Sequence, residues 1–239
     1  MQSIIQIKNL TKKYKIEGRE IKALNNINLE INGGSFTTIV GKSGCGKSTL
    51  LRIIAGLETA TSGQISGTNK INSSLVFQEA RLMPWLTVKE NILFPLKNKK
   101  KRNEIEPKVE EQLQLLGLKE FKDAYPDQIS GGMAQRTALG RALIFESDLI
   151  LMDEPLGSLD AFNRYKLQEE LKNIFSENDK TAIFFFFYID EAISLGDQVL
   201  VMDSGAIIEQ FNLKNELNLS EDKEKYLDLK EEILSEIKA

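Results

Sequence analysis

The chain opens on short alternating runs. Ile4-Ile5-Gln6-Ile7 and Ile27-Asn28-Leu29-Glu30-Ile31 read as edge or half-buried strands, because alternate apolar residues line one face of a pleated strand. Asn32-Gly33-Gly34 is a turn signal, and Phe36-Thr37-Thr38-Ile39-Val40 is a β-branched strand that runs straight into a glycine-rich loop. From Ser48 to Leu57 the spacing turns helical and ends at Gly56. Between about Pro84 and Phe145 the period stays helical, with Val109, Leu113, Leu116 and Leu118 on an apolar face. The last third alternates again. Strands are expected at Leu149–Met152, Ala182–Phe187 and Gln198–Met202, with helices at Ala161–Phe175 and around Glu191. Strand-helix alternation predicts a mostly parallel sheet with crossover helices. Phe184-Phe185-Phe186-Phe187 fits a strand covered on both faces. Tyr226, Leu229, Ile233 and Ile237 fall on one face of a terminal helix, which is expected to pack on its own domain.

Composition narrows the chemistry. With 239 residues, 41% hydrophobic and 28% charged, the chain has the balance of a globular protein with a real core. Its net charge of −4 makes it a poor general nucleic-acid binder, which needs a basic face. The basic run Lys97–Arg102 reads as a solvated loop, since no aromatic residue interrupts it. No apolar run approaches the roughly 20 residues of a membrane span, and the N-terminus lacks a signal-peptide layout, so a cytoplasmic location is expected. One cysteine, Cys45, permits no intramolecular disulfide and suggests a reducing compartment. The absence of histidine excludes Ser-His-Asp and Cys-His nucleophiles and histidine-based zinc sites.

The strongest local pattern is Gly41-Lys42-Ser43-Gly44-Cys45-Gly46-Lys47-Ser48-Thr49. It fits the phosphate-binding loop G-x-x-x-x-G-K-[ST], and it lies after a predicted strand and before a predicted helix, where an ordinary Gly/Ser turn need not lie. The glycines let backbone N–H groups converge on phosphate oxygens, and the helix N-terminus adds positive potential. Lys47 reaches the β- and γ-phosphates and Ser48 is placed to ligate Mg²⁺. Cys45 reads as a small spacer. Leu149-Ile150-Leu151-Met152-Asp153-Glu154 is an apolar strand ending in two acids. Asp153 suits the Mg²⁺ shell, and Glu154 is then the residue to polarise a water. Together these motifs predict a nucleotide hydrolase without choosing its kind.

The third motif chooses. Ile129-Ser130-Gly131-Gly132-Met133-Ala134-Gln135-Arg136 opens a helix that runs through Leu143, and it resembles the LSGGQ-type signature of ABC ATPases. Ser130 suits a helix cap, and the glycines expose N–H groups to an anion. The resemblance spans about Ile4 to Glu209. It implies an α/β fold: a P-loop NTPase core with a mostly parallel sheet, an antiparallel β subdomain and an inserted α-helical subdomain. The helical part would be residues 84–145, carrying the signature, with 1–83 and 146–239 as the nucleotide-binding core. It further implies that Ser130, Gly131 and Gly132 bind the γ-phosphate of ATP held by a second subunit, and that Tyr14 stacks on adenine, though the same tyrosine would also serve as core. Gln78 would contact Mg²⁺ and couple to a membrane subunit. Leu156-Gly157-Ser158-Leu159-Asp160 would cross the dimer interface. The stretch Gln78–Val88 is similar to importers of the nitrate/sulfonate/taurine group.

One position departs from the family. The family's histidine after the strand that follows the acid pair falls here on Phe187, with Tyr188 next. A phenyl ring donates no hydrogen bond to a phosphate, so slow hydrolysis with good ATP binding is expected. Tyr188 is set aside as a substitute because strand neighbours point to opposite faces. The resemblance thus implies an importer's ATPase that uses ATP and Mg²⁺, pairs with a second copy, and meets the inner face of a cell membrane only through a permease. Two rivals stand beside it: a non-membrane ABC ATPase, and an ATP-gated assembly module with little turnover.

Overall fold

The computed structural model describes residues 3–68, 71–96, 102–145, 147–157, 161–177, 180–213 and 223–238. The run Lys97–Lys101 and the loop residues Ser158, Leu159 and Asp160 lie outside them.

The first two strands are far longer than their alternating centres suggest. β1 (Ser3–Ile16) and β2 (Arg19–Asn32) pair antiparallel with Ile16 opposite Arg19. The connecting Glu17 and Gly18 both take positive φ, 49° and 79°, as a two-residue hairpin requires when its turn matches strand twist. Tyr14 therefore lies within a strand. β4 (Ser62–Ser66) adds to the other edge of β1, giving a three-stranded antiparallel sheet in the order β2-β1-β4.

The second sheet has six strands in the order β5-β6-β7-β3-β8-β9. Its members are β3 (Phe36–Val40), β5 (Ser73–Val76), β6 (Leu149–Asp153), β7 (Thr181–Phe186), β8 (Gln198–Asp203) and β9 (Ala206–Asn212). All neighbours are parallel except β8 and β9. β4, β5 and β9 are short or polar, and the sequence carries no clear signal for them.

The phenylalanine run shows why a central parallel strand reads as continuously apolar. Phe184 and Phe186 face one side of the sheet, among residues of the helices α2 (Val88–Leu93), α3 (Arg102–Leu115), α4 (Gly131–Ile144), α5 (Ala161–Glu177), α6 (Ile189–Leu195) and α7 (Lys223–Lys238). Phe185 faces the other, with α1 (Lys47–Ile54) and the inner face of the three-stranded sheet. Both faces are dry, so neither strand parity can be polar. Leu229 and Ile233 of α7 are buried against the first of these clusters, so the terminal helix packs on its own chain. β7 ends one residue earlier than the sequence predicts, and Phe187 is 58% exposed.

Candidate functional site

Sheet order brings the candidates together. The phosphate-loop sequence follows β3 and the acid pair ends β6, and β7 is the single strand between them. Loops leaving the carboxyl ends of parallel strands share one edge of the sheet, so both motifs and Phe187 meet there.

The loop is built by its glycines. Gly44 and Gly46 take φ of 82° and 105°, where a side chain is strained. A Cβ on Gly41 would lie 2.1 Å from the Met202 carbonyl oxygen. Lys47 is buried and curls back over its own loop: Nζ donates to the carbonyls of Gly41 at 2.7 Å and Lys42 at 3.2 Å, with Cys45 Sγ at 3.9 Å. Cys45 is buried, and that burial pushes its thiol above the ordinary range, which suits a spacer better than a nucleophile. Lys42 and Ser43 are exposed at the loop's tip, and Ser48 and Thr49 open α1, half-buried. Tyr14 comes to the same place from β1, its hydroxyl 3.5 Å from Thr49 Oγ1 and its ring 5.0 Å from Lys12 Nζ.

Across β7, Asp153 is the last residue of β6 and lies opposite Phe185. Glu154 leaves the strand at φ 48°, a conformation that non-glycine residues hold only when surroundings enforce it. Two backbone bonds do so, from Glu154 N to Phe185 O at 3.0 Å and from Gly157 N to Glu154 O at 3.2 Å. Gln78, beyond β5 on the neighbouring strand, donates from Nε2 to Glu154 Oε2 at 3.0 Å. The amide orients the carboxylate through Oε2.

Ser130, Gly131 and Gly132 stand at the N-terminus of α4. Ser130 caps that helix by accepting from Met133 N at 3.3 Å. Their described hydrogen bonds are to their own helix, and the first glycine is exposed.

A divalent cation fits this edge only in company. Among the described residues no cluster of three or more acidic, cysteine or histidine side chains could hold a metal. Ser48, Asp153 and Gln78 supply oxygen donors too few for a protein-built cage and suited to Mg²⁺ that arrives on nucleotide phosphates.

Phe187 and Tyr188 correct one sequence expectation. Neither belongs to β7, so strand alternation does not separate them; their rings meet edge to face with centroids 5.4 Å apart. The Arg164 guanidinium of α5 lies 4.9 Å from the Tyr188 ring centre and 3.4 Å from Glu191 Oε1. Nothing local singles out Glu191, because an acid early in a helix looks ordinary. It is buried, and burial pushes its carboxyl up to about 7, against Arg164 and with help from Asp190 and Glu154. The folded chain therefore holds that proton more tightly than the unfolded one. The stability this group contributes is full below about pH 4.5 and is lost as pH rises to about 7. Glu191→Gln is expected to flatten the decline between those values and to raise the unfolding temperature at pH 8 by about 2–6 °C, as measured by thermal melts at pH 5 and pH 8.

Gln135 was also missed. It shares the buried face of α4 with Leu139 and Ala142, and its Nε2 donates to Phe77 O at 3.2 Å, one residue before Gln78. A polar residue at an apolar helical position was the available signal.

Comparison with known proteins agrees with this architecture. Residues 24–157 match the family described as ABC transporter. The chain is 39% identical over 240 residues to an aliphatic sulfonates import ATP-binding protein of Bacillus cereus, covering 97% of this chain and 95% of that protein. It is 43% identical over 212 residues to an uncharacterized ABC transporter ATP-binding protein of Methanocaldococcus jannaschii, covering 84% of this chain and 78% of the relative. A dimeric ATP-binding cassette in a post-hydrolysis state, bound to ADP and Pi, superposes with a TM-score of 0.79 at 32% identity, over 87% of this chain and 98% of that one. With its phosphate loop and acid pair on one edge of a P-loop NTPase sheet, the chain belongs to the ABC transporter family as an ATP-binding cassette and ATPase.

Proposed function

We propose that this chain is the ATPase subunit of an importer of small solutes, that two copies close on two ATP molecules, and that it hydrolyses them slowly. The observation that carries the reading is the order β6-β7-β3, which sets the Asp153-Glu154 pair, Phe187 and the Gly41–Thr49 loop side by side. The importer assignment is supported by the relative of nearly equal length that bears that name. Among the described residues no helix is long and apolar enough to cross a membrane, which fits a separate permease reached through the Gln78 region and the helical segment 84–145.

In this reading the loop N–H groups and Lys47 hold the β- and γ-phosphates, and Tyr14 stacks on adenine. Ser48, Asp153 and Gln78 would hold Mg²⁺, which would neutralise charge on the phosphate oxygens. Glu154 takes a proton from the attacking water as its oxygen bonds to the γ-phosphorus and the bond to the β-phosphate oxygen breaks. Ser130, Gly131 and Gly132 turn their helix N-terminus to the γ-phosphate on the other copy. In this reading two copies are needed, because the signature of one serves the phosphate loop of the other. Phe187 offers the γ-phosphate no hydrogen bond, which leaves this step under-stabilised.

The experiment is sedimentation of the purified chain with and without MgATP, beside its steady-state hydrolysis. A monomer that becomes a dimer with MgATP is expected; a chain that binds MgATP and stays monomeric overturns the two-copy reading. Lys47→Ala serves as the blank. It removes the buried ammonium, and a charge-assisted hydrogen bond lost is expected to weaken ATP binding about 10- to 100-fold in a titration with a fluorescent nucleotide.

A further inference from the structure

Tyr14 stands on a stretch of hairpin that needs outside support. β4 pairs with β1 only between Gln6 and Thr11, so from Lys12 outward β1 has β2 alone beside it. A two-stranded ribbon is marginal by itself, and a ring near its open end is loosely placed unless something ties it. The connection between α1 and β4 supplies the ties. Thr61 N donates to Thr11 O at 2.8 Å, and Thr61 Oγ1 accepts from Lys13 N at 2.9 Å. Lys12 reaches the same connection. Its Nζ donates to Thr59 O at 2.8 Å and lies 2.9 Å from Glu58 Oε1, with only 14% of its side chain exposed.

Lys12 also sits over the ring. Its ammonium lies 5.0 Å from the Tyr14 ring centre, within reach of the attraction between a cation and the electron-rich face of an aromatic. At the ring's other end the hydroxyl lies 3.5 Å from Thr49 Oγ1, where the Gly41–Thr49 loop has become the first turn of α1. Glu58 joins the two ends. Burial alone would raise its carboxyl, but hydrogen bonds from the Tyr14 hydroxyl and from Lys12 hold it below the ordinary value. The ring is thus fixed on one face and at its hydroxyl, and both fixings lead to α1 or to the residues that follow it. We propose that Lys12 and Glu58 are positioning residues for the nucleotide base: they hold one face of Tyr14 and present the other at a set distance from the phosphate loop. Held in this way, the ring cannot swing aside under a base. The inference rests on the stacking role given to Tyr14 above and adds the groups that make the ring a fixed platform.

Binding of MgATP to the full chain is measured by titration calorimetry, with steady-state hydrolysis on the same samples. Tyr14→Ala is expected to raise Kd about 5- to 100-fold, the range of one lost stack between a base and an aromatic ring. Lys12→Met keeps the length of the stem and removes the cation. It is expected to raise Kd about 3- to 10-fold, with the loss falling on KM rather than on kcat. Lys12→Arg, whose guanidinium also stacks on aromatic faces, is expected to stay within about twofold of the unaltered chain. The deciding comparison is Lys12→Met made in the Tyr14→Ala chain: with no ring to hold, it is expected to cost less than about 1.5-fold. An equal loss in both backgrounds makes Lys12 a plain attractor of phosphate and overturns the proposal. So does a Lys12→Met chain that binds MgATP as the unaltered chain does while Tyr14→Ala binds it weakly. A Tyr14→Ala chain that binds as tightly as the unaltered one removes the stacking role itself, and the inference falls with it. Should Lys12→Met give no cooperative thermal melt, Glu58→Gln, which keeps the size of the side chain and loses the charge that holds Lys12, is measured in its place with the same expected loss and the same comparison.

Discussion

Phe187→His is expected to raise kcat for ATP hydrolysis by about 10²- to 10⁴-fold while ATP affinity stays within about twofold. The size follows from what one positioned donor contributes when it meets charge that develops only as the γ-phosphate leaves. The site for it is set by the fold: β7 lies between the strand that ends in Asp153 and the strand that feeds the phosphate loop, and Phe187 is the first residue beyond β7. Its ring is already exposed at that edge, so an imidazole replaces it without opening the core. Binding is spared because the loop, Lys47 and Tyr14 are unchanged. Steady-state turnover at high protein concentration, with Lys47→Ala as the blank, is the measurement. If the unaltered chain turns over well and histidine adds nothing, Glu154 suffices and the slow-hydrolysis reading is wrong. Tyr188→Phe tests the neighbour: since the two rings touch, the tyrosine hydroxyl is a candidate donor near this position. A turnover that drops tenfold or more in Tyr188→Phe would transfer the missing role to Tyr188.

Glu154→Gln, made in the Phe187→His chain, is expected to lower kcat about 10²- to 10⁴-fold and to leave ATP-bound dimers long-lived in sedimentation. The substitution separates position from basicity. Gln78 donates to Oε2 of Glu154, and a glutamine oxygen accepts the same bond, so the side chain keeps its orientation. What disappears is the carboxylate proposed to take the water's proton. The left-handed backbone at Glu154 is imposed by its bonds to Phe185 and Gly157, which the substitution leaves alone. Retention of rapid turnover would remove Glu154 from the chemistry and point the search to another base. The two variants combined therefore ask whether the edge of the sheet lacks one hydrogen-bond donor or a whole mechanism.

Motifs contiguous in the sequence were the legible part. The phosphate loop needs only local spacing between a strand and a helix, and Gly41–Thr49 runs from the end of β3 into the first turn of α1. The parallel sheet was legible because buried strands such as Phe184–Phe186 leave long apolar runs. What escaped depends on which strands become neighbours. Nothing local in Gln78 foretells Glu154 as its partner, because β5 and β6 meet only when the sheet assembles. The β1–β2 hairpin was read too short because its outer half is rich in Lys and Glu and exposed, so only its inner residues show the apolar alternation. The Phe187–Tyr188 contact escaped because strand parity was carried one residue past the strand's end, where it no longer holds. Glu191 and Gln135 escaped for one physical reason: burial of a single polar side chain is set by tertiary packing and leaves little trace in composition.

Lys47 has one more consequence, and it is kinetic. With its ammonium bonded to two carbonyls of its own loop, the lysine ties the start of the Gly41–Thr49 turn to its end. In the proposed site a triphosphate would compete with those carbonyls for the ammonium, on a loop already tied together. Little conformational entropy remains to be lost on capture, so the encounter is a swap of hydrogen bonds on a preorganised cradle. In that reading the lysine that would hold the phosphates is also the strut of the loop that cradles them.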